Sequence, residues 1–427
     1  MRIVVAAVGT RGDFEPHLAL ARGLQTAGFD VRLTAPLDFR QQAEAHNVEF
    51  HPIQISFRGL YDTPAAKALL ASGKSIRFLR ELQRIAVPIA RQIIDDIDAA
   101  CQDAGAVCFS PMAFPAFYSA QARGIPCFPT HLQPLGRTWT YPSPVFPLGA
   151  GTPGVVNRLT YFLQEQVFWQ LFRPLMKARR KVTRGGYFAD LYGSGRPAFF
   201  AYSPAVVPKP RDWLPHLHVT GYWRLPPDPA WRPPAHVADF LASGDLPVCI
   251  GFGSMHDPKI AYILPVALEA LRAMGRRAIV LSGWSGVTPH DPGVCVAESL
   301  PHDWLYPRVA AVVSHGGAGT TAAALRAGIP SVILPFFFDQ AFWGRWLAER
   351  QLGPPPISSR HLTTAAMTRA LNSALEERTV RARLAGLGAL IAAEDGVQNA
   401  VAVLARFFDR VRVSPRMSAP AAASRTM

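Results

Sequence analysis

The stretch His315-Gly316-Gly317-Ala318-Gly319-Thr320-Thr321 has the residue types that seat a phosphate. It follows an apolar run, Val309–Val313, and leads into an alanine-rich helical pattern over 322–327. Glycines let the backbone approach a ligand closely, and a helix start offers unpaired N–H groups with about half a positive charge. Gly328 suits the helix end, Pro330 forbids continuation, and Ser331–Pro335 reads as the next strand. Asp339 and Gln340 follow that strand and combine acceptor and donor groups suited to hydroxyls. Ser254, in the loop after the run Val248–Phe252, suits the same phosphates or an ordinary turn. Asp13 ends Gly9-Thr10-Arg11-Gly12-Asp13 after the first apolar run; it can cap the next helix or handle a proton.

These groups need strands that end beside them. Arg2–Val8 reads as strand, 9–13 as loop, Glu15–Ala27 as a helix closed by Gly28, and Val31–Ala35 as strand. The alternation continues through a helix over Ile76–Ala100, a strand at Ala106–Phe109, a helix at Phe114–Arg123 and a strand at Pro126–Pro129. Nine prolines between Pro204 and Pro234 interrupt it. It then restarts with Val248–Phe252, the helix Ile260–Met274 and the strand Ala278–Leu281. The expected organisation is an α/β N-terminal domain over 1–205, a Pro-rich linker over 206–235 and an α/β C-terminal domain over 236–411. A last helix, Gly396–Arg410, can pack back on the first domain, and a disordered tail covers 412–427. Ligands of such doubly wound sheets bind beyond the carboxyl ends of the strands.

With 17% charged and 49% apolar residues over 427, the chain is globular. Five scattered cysteines without a CxxC pair suit reduced core residues in the cytoplasm. No uninterrupted run of about 18 apolar residues appears. The formal charge of +14 comes without a nucleic-acid recognition motif, so no nucleic-acid partner is expected. Two stretches pair apolar with basic residues: Ile76–Ile97, and Val167–Arg184 with Phe168, Leu171, Phe172 and Leu175 against Lys177, Arg179, Arg180, Lys181 and Arg184. Each reads as a core helix with a solvated face or as a peripheral contact with the inner face of a membrane. Dinucleotide chemistry is disfavoured, because G-x-G-x-x-G is missing after either first strand and Leu33-Thr34-Ala35-Pro36 carries no ribose-binding acid. A P-loop is missing too. Asp96-Ile97-Asp98 resembles a metal-binding DxD but lies in a helical pattern, and no metal is expected.

Taken together, Gly9–Asp13 with Pro16, Phe252-Gly253-Ser254-Met255, Pro301-His302-Asp303-Trp304, His315–Thr321 and Pro335-Phe336-Phe337-Phe338-Asp339-Gln340 resemble the family-1 nucleotide-sugar glycosyltransferases. The sterol glucosyltransferase and antibiotic-aglycone glycosyltransferase branches look most similar. The resemblance spans residue 1 to about residue 410. It implies a GT-B fold, two Rossmann-like doubly wound domains facing across a cleft, with acceptor on the first and donor on the second.

The resemblance also assigns roles. Asp13 would be the general base, with Thr10, Arg11, Gly12 and His131 near the acceptor and residues from His131 to Phe146 as an apolar wall. His315, Gly317, Ala318, Gly319, Thr320, Thr321 and Ser254 would hold the donor diphosphate, and Asp339 and Gln340 the sugar. His302 would lie near the base, with Trp284 an alternative wall and Trp343 either lining the pocket or packing a helix. Two departures stand out: Phe338 where the family commonly has glycine, and Ser314 where close relatives have histidine. The implied activity is metal-independent, inverting transfer of a hexose, glucose from UDP-glucose first, to a hydroxyl of a sterol, lipid or polyketide-like aglycone. A nucleotide-sugar 2-epimerase would need further acidic residues near the sugar; an inactive binding homologue would not need Asp13, His315, Asp339 and Gln340 together.

Overall fold

The computed structural model describes residues 1–56, 59, 89–146, 148–149, 151–177, 193–253, 259–283, 291 and 293–413. The expectations for Ser254, Trp284, residues 76–88, Arg179, Arg180, Lys181, Arg184 and the tail from 414 lie outside them, as do those for the side chains of residues 171–177. The chain forms two compact units: residues 1–134, 162–225 and 395–427, and residues 135–161 and 226–394.

The first unit is built on a seven-stranded parallel sheet in the order β3-β2-β1-β4-β5-β6-β7. Its strands are β1 (Arg2–Ala6), β2 (Asp30–Pro36), β3 (Glu49–Ile53), β4 (Ala106–Phe109), β5 (Cys127–His131), β6 (Ala198–Phe200) and β7 (Leu217–Val219). Parallel strands covered on both faces need near-continuous apolar sequence. Ile3-Val4-Val5-Ala6 supplies it, with Ile3 and Val5 in one core cluster and Val4 and Ala6 in another. Helix α1 (Arg11–Thr26) buries Leu18, Leu20, Ala21 and Leu24 against the first cluster. Helix α2 (Pro115–Arg123) ends at Gly124, whose φ of +65° is the left-handed conformation that glycine adopts freely.

The proline-rich region differs from a linker. It contributes β7 at the sheet edge, where β6 is its paired neighbour, and buries Trp213 and Trp223. The division between units falls at Leu225/Pro226, so residues 206–225 belong to the first. The prolines of this region all lie outside β7, whose residues are Leu217, His218 and Val219. Residues 135–161 group with the second unit, an excursion not expected from sequence. Helix α3 (Gly154–Lys177) is continuous through residues 161 and 162, where this grouping changes.

The second unit carries a five-stranded parallel sheet in the order β10-β9-β8-β11-β12. These are β8 (Val248–Gly251), β9 (Ala278–Leu281), β10 (Val294–Ala297), β11 (Ala311–Ser314) and β12 (Ser331–Ile333). Helix α4 (Ile260–Ala273) buries Ile260, Ile263, Leu264, Ala267 and Leu271, a 3.6-residue stripe. Helix α5 (Ala318–Arg326) follows β11, and α6 (Gln340–Glu349) follows β12. Residues 378–410 have the length and hydropathy of a membrane-crossing segment. They are in fact two helices, α7 (Arg378–Ala392) and the C-terminal helix Gly396–Val413. The first packs on α5 and the second on α1, each burying its own apolar face.

Candidate active site

In the first unit, Gly9 separates β1 from α1 with φ +148°, and a Cβ there would collide with Asp13 Oδ2. Only glycine lets that carboxylate fold back. Asp13 Oδ2 then accepts from the Thr10 amide at 3.0 Å, completing a capping box with the Thr10 side chain. The capping role is therefore realised, and α1 begins at Arg11, earlier than the predicted Glu15. Arg11 and Gly12 are exposed, and Arg11 pairs with Glu15 at 2.7 Å.

His17 is a site residue beyond those expected from sequence. Its Nδ1 lies 2.6 Å from the carbonyl oxygen of Asp13, and its Nε2 lies 2.7 Å from Thr130 Oγ1. A carbonyl can only accept, so Nδ1 carries the proton and Thr130 donates to Nε2. One ring thus ties the first turn of α1 to β5. The signal was the four-residue step from Asp13 to His17, which places both on one helical face. Burial pushes the His17 pKa down to about 4, partly opposed by the bond to Asp13. His131, at the end of β5, stacks on Phe200 at 4.9 Å, with both ring nitrogens buried and without hydrogen-bond partners among the described residues. Burial and then the neighbouring His17 lower its pKa to about 4. Because the units divide after Pro134, the predicted wall from His131 to Phe146 is not one stretch of one unit.

In the second unit, Ser314 ends β11 and its Oγ accepts from the Gly316 amide at 3.2 Å, which accounts for a small hydroxyl at that position. Gly316 has φ +79°, and Gly317 caps α5. The His315 ring folds over Gly317, where a Cβ would lie 2.5 Å from Nε2. His315 Nδ1 is buried and has no partner among the described residues, and burial lowers the ring's pKa to about 4, so the free protein presents a neutral imidazole. The helix starts earlier than the alanine-rich run suggested. Ala318, Gly319 and Thr320 are its first three residues, whose amides have no partner within the helix. Thr321 departs from expectation, because its amide already donates to Gly317 O at 2.9 Å.

Asp339 and Gln340 are buried and partly committed inwards. Asp339 Oδ2 accepts from Trp343 Nε1 at 2.8 Å, so Trp343 packs the helix instead of lining a pocket. Gln340 Oε1 accepts from the amides of Phe336 and Phe337 at 2.8 and 3.2 Å, closing the loop before α6. Phe338, immediately before Asp339, is held at φ +57° with its side chain exposed. A glycine would adopt that conformation without strain. His302 opens a short helix and stacks on Tyr306 at 4.5 Å, while Trp304 packs against Trp231 at 5.1 Å under Arg308. Asp96 and Asp98 serve structure: Asp96 accepts from the Gln54 amide, and Asp98 binds Ser119 and Arg123.

Two parallel α/β units, one with a glycine loop and open helix amides beyond its strand ends, define the GT-B class of glycosyltransferase. Solved structures share this fold. The kitacinnamycin glycosyltransferase superposes with TM-score 0.69 at 18% identity, covering 95% of this chain and 98% of that one. A Streptomyces sp. SF2575 glycosyltransferase complexed with thymidine diphosphate gives 0.61 at 16%, covering 95% and 99%.

Residues 3–128 match the glycosyltransferase family 28 N-terminal domain, and residues 281–405 match the erythromycin biosynthesis protein CIII-like C-terminal domain. A sterol 3-beta-glucosyltransferase of Arabidopsis thaliana is 35% identical over 94% of this chain and 67% of its own length. A second from the same plant is 33% identical, and the chain spans 64% of its length. The O-mycaminosyltylonolide 6-deoxyallosyltransferase of Streptomyces fradiae is 33% identical over 95% of this chain and 97% of its own. The chain belongs to this glycosyltransferase family.

Proposed function

We propose that the enzyme transfers a hexose, glucose from UDP-glucose first, to a hydroxyl of an apolar acceptor such as a sterol, lipid or polyketide-like aglycone, with inversion and without a metal. The observation that carries the donor half is the start of α5. There Ala318, Gly319 and Thr320 present amides unpaired within the helix, beside a neutral His315 whose buried Nδ1 has no partner among the described residues. Such groups stabilise the negative charge that develops on a departing diphosphate. A fixed set of donors supplies this without a cation, and the DxD-like carboxylates are spent on Gln54, Ser119 and Arg123.

Asp13 is the base. Its carboxylate is oriented by the Thr10 amide, and proton removal accompanies attack on the sugar carbon because an aspartate is a weak base. The acceptor oxygen bonds to that carbon as its bond to the diphosphate breaks. The proton goes to Asp13, and UDP leaves from the α5 loop. A single displacement with one base inverts the configuration. Asp339 and Gln340, held by Trp343 and the loop amides at the start of α6, are the proposed sugar-binding side chains. The sterol acceptor follows the names of the plant relatives, and the aglycone reading follows that of the Streptomyces fradiae relative.

The test is a donor-by-acceptor screen of UDP- and TDP-sugars against sterols and aglycones, followed by UDP release. Acceptor-dependent release from UDP-glucose, lost in Asp13→Asn, is expected. Turnover with TDP-sugars alone would replace the donor assignment.

A further inference from the structure

Helix α3 is inside out. Val155, Val156, Leu159, Phe162, Leu163 and Val167 are between 39% and 73% exposed. Over residues 155–167 the side chains it buries are Asn157, Thr160, Tyr161 and Glu165, three of them polar, and only beyond them does Phe168 pack on an apolar core cluster. At 3.6 residues per turn the six exposed apolar residues fall within about 140° of arc, and the buried set lies on the opposite side. Residues 155 to 167 extend about 18 Å along the axis. This is the reverse of a core-facing helix.

The inward polarity has a local cause. Asn157 Nδ2 donates to the carbonyls of Trp139 and Thr152 at 3.0 and 3.2 Å. Thr160 Oγ1 accepts from the Ser143 amide at 2.8 Å and donates to Asn157 O at 2.6 Å. The irregular segment 139–152 has backbone groups that need partners, and α3 supplies them from its polar side. Its apolar side is thereby turned outwards.

We infer that this face of α3 docks on an anionic lipid bilayer. Charge complementarity selects that occupant. Arg158 lies on the same helix, 5.4 Å over the ring of Trp139, which is itself half exposed. Beyond the stripe the sequence carries Arg173, Lys177, Arg179, Arg180, Lys181 and Arg184 with no acidic residue before Asp190, in a chain of net charge +14. Apolar and aromatic residues next to clustered Lys and Arg are the composition of an interfacial helix, which inserts its apolar face at headgroup depth. The inference is independent of the donor and the catalytic base.

The probe is the full chain with vesicles of phosphatidylcholine containing a quarter phosphatidylglycerol, followed by sedimentation. Binding is expected at low salt, weakening as salt rises. Leu159→Asp and Phe162→Asp should each lower the partition coefficient about tenfold or more. Leu390→Asp, a charge placed at an exposed leucine of α7, should leave it unchanged. Phe162→Ser and Val167→Ser, with melting curves alongside, separate loss of docking from loss of fold. Three results would overturn the inference: no sedimentation with anionic vesicles at low salt, unchanged binding in the folded stripe variants, or a solution dimer that Phe162→Asp dissociates. The last would make a second copy the occupant.

Discussion

His17 Nδ1 donates to the carbonyl oxygen of Asp13 at 2.6 Å while its Nε2 accepts from Thr130 at 2.7 Å. The helix turn that carries the proposed base is thus anchored through its backbone, leaving the carboxylate to the Thr10 amide. Asp13→Asn keeps an oxygen for that amide, so the melting temperature should hold while transfer falls by about 10²- to 10⁴-fold. Asp13→Ala should lose both transfer and about 1 kcal/mol of stability from the cap. Paired melting curves and UDP-release assays check this; an active Asp13→Asn would remove the base assignment.

His17, His131 and His315 all have pKa values pushed down to about 4 by burial, against an ordinary 6.5. The folded state therefore binds protons less readily than the unfolded state between these values. Stability should be complete above pH 6.5 and fall as pH drops towards 4. His131→Phe should flatten that slope by about 1.4 kcal/mol per pH unit, the contribution of one proton. It should cost little at pH 7, since the ring already stacks on Phe200 and its nitrogens have no partners among the described residues. Denaturant titrations across pH measure both effects.

Phe338 occupies a left-handed backbone conformation at φ +57°. Phe338→Gly should raise stability by about 1 kcal/mol through relief of that strain, whereas Phe338→Ala should not. If the exposed ring borders the donor sugar, the glycine variant should also change the ratio of turnover between hexose donors. Thermal melting and a donor panel read the two effects separately.

Gly317→Ala would set a methyl group 2.5 Å from His315 Nε2, so the ring must move. Losing one charge-assisted bond to a diphosphate costs about 1.5–3 kcal/mol, so UDP should bind roughly 10- to 150-fold more weakly. Calorimetric titration with UDP tests this. Unchanged affinity would detach His315 from the diphosphate.

Much of this was legible because strand–glycine–helix punctuation is local. The run Val309–Val313, the glycines after it and Gly328 with Pro330 marked β11, its loop and α5 to within a few residues, apart from the helix start. There the alanine-rich run understated the helix, because Gly319 and Thr320 are poor helix formers that a capped first turn still accepts. The same punctuation made the two α/β units readable, and the ordered motifs carried the family.

Tertiary structure alone decided the rest. Periodicity shows that α3 has two faces but not which one turns inwards, and a loop in need of hydrogen-bond partners reversed the usual answer. The excursion of residues 135–161, the ring of His17 between Asp13 and Thr130, and the closing of Trp343 onto Asp339 all depend on neighbours distant in sequence or on how a side chain packs. Burial is a property of the surroundings, and no local pattern encodes it. Residue types and spacing therefore determined the glycine loop before α5 and the class of enzyme. Packing determined which partners its polar groups take.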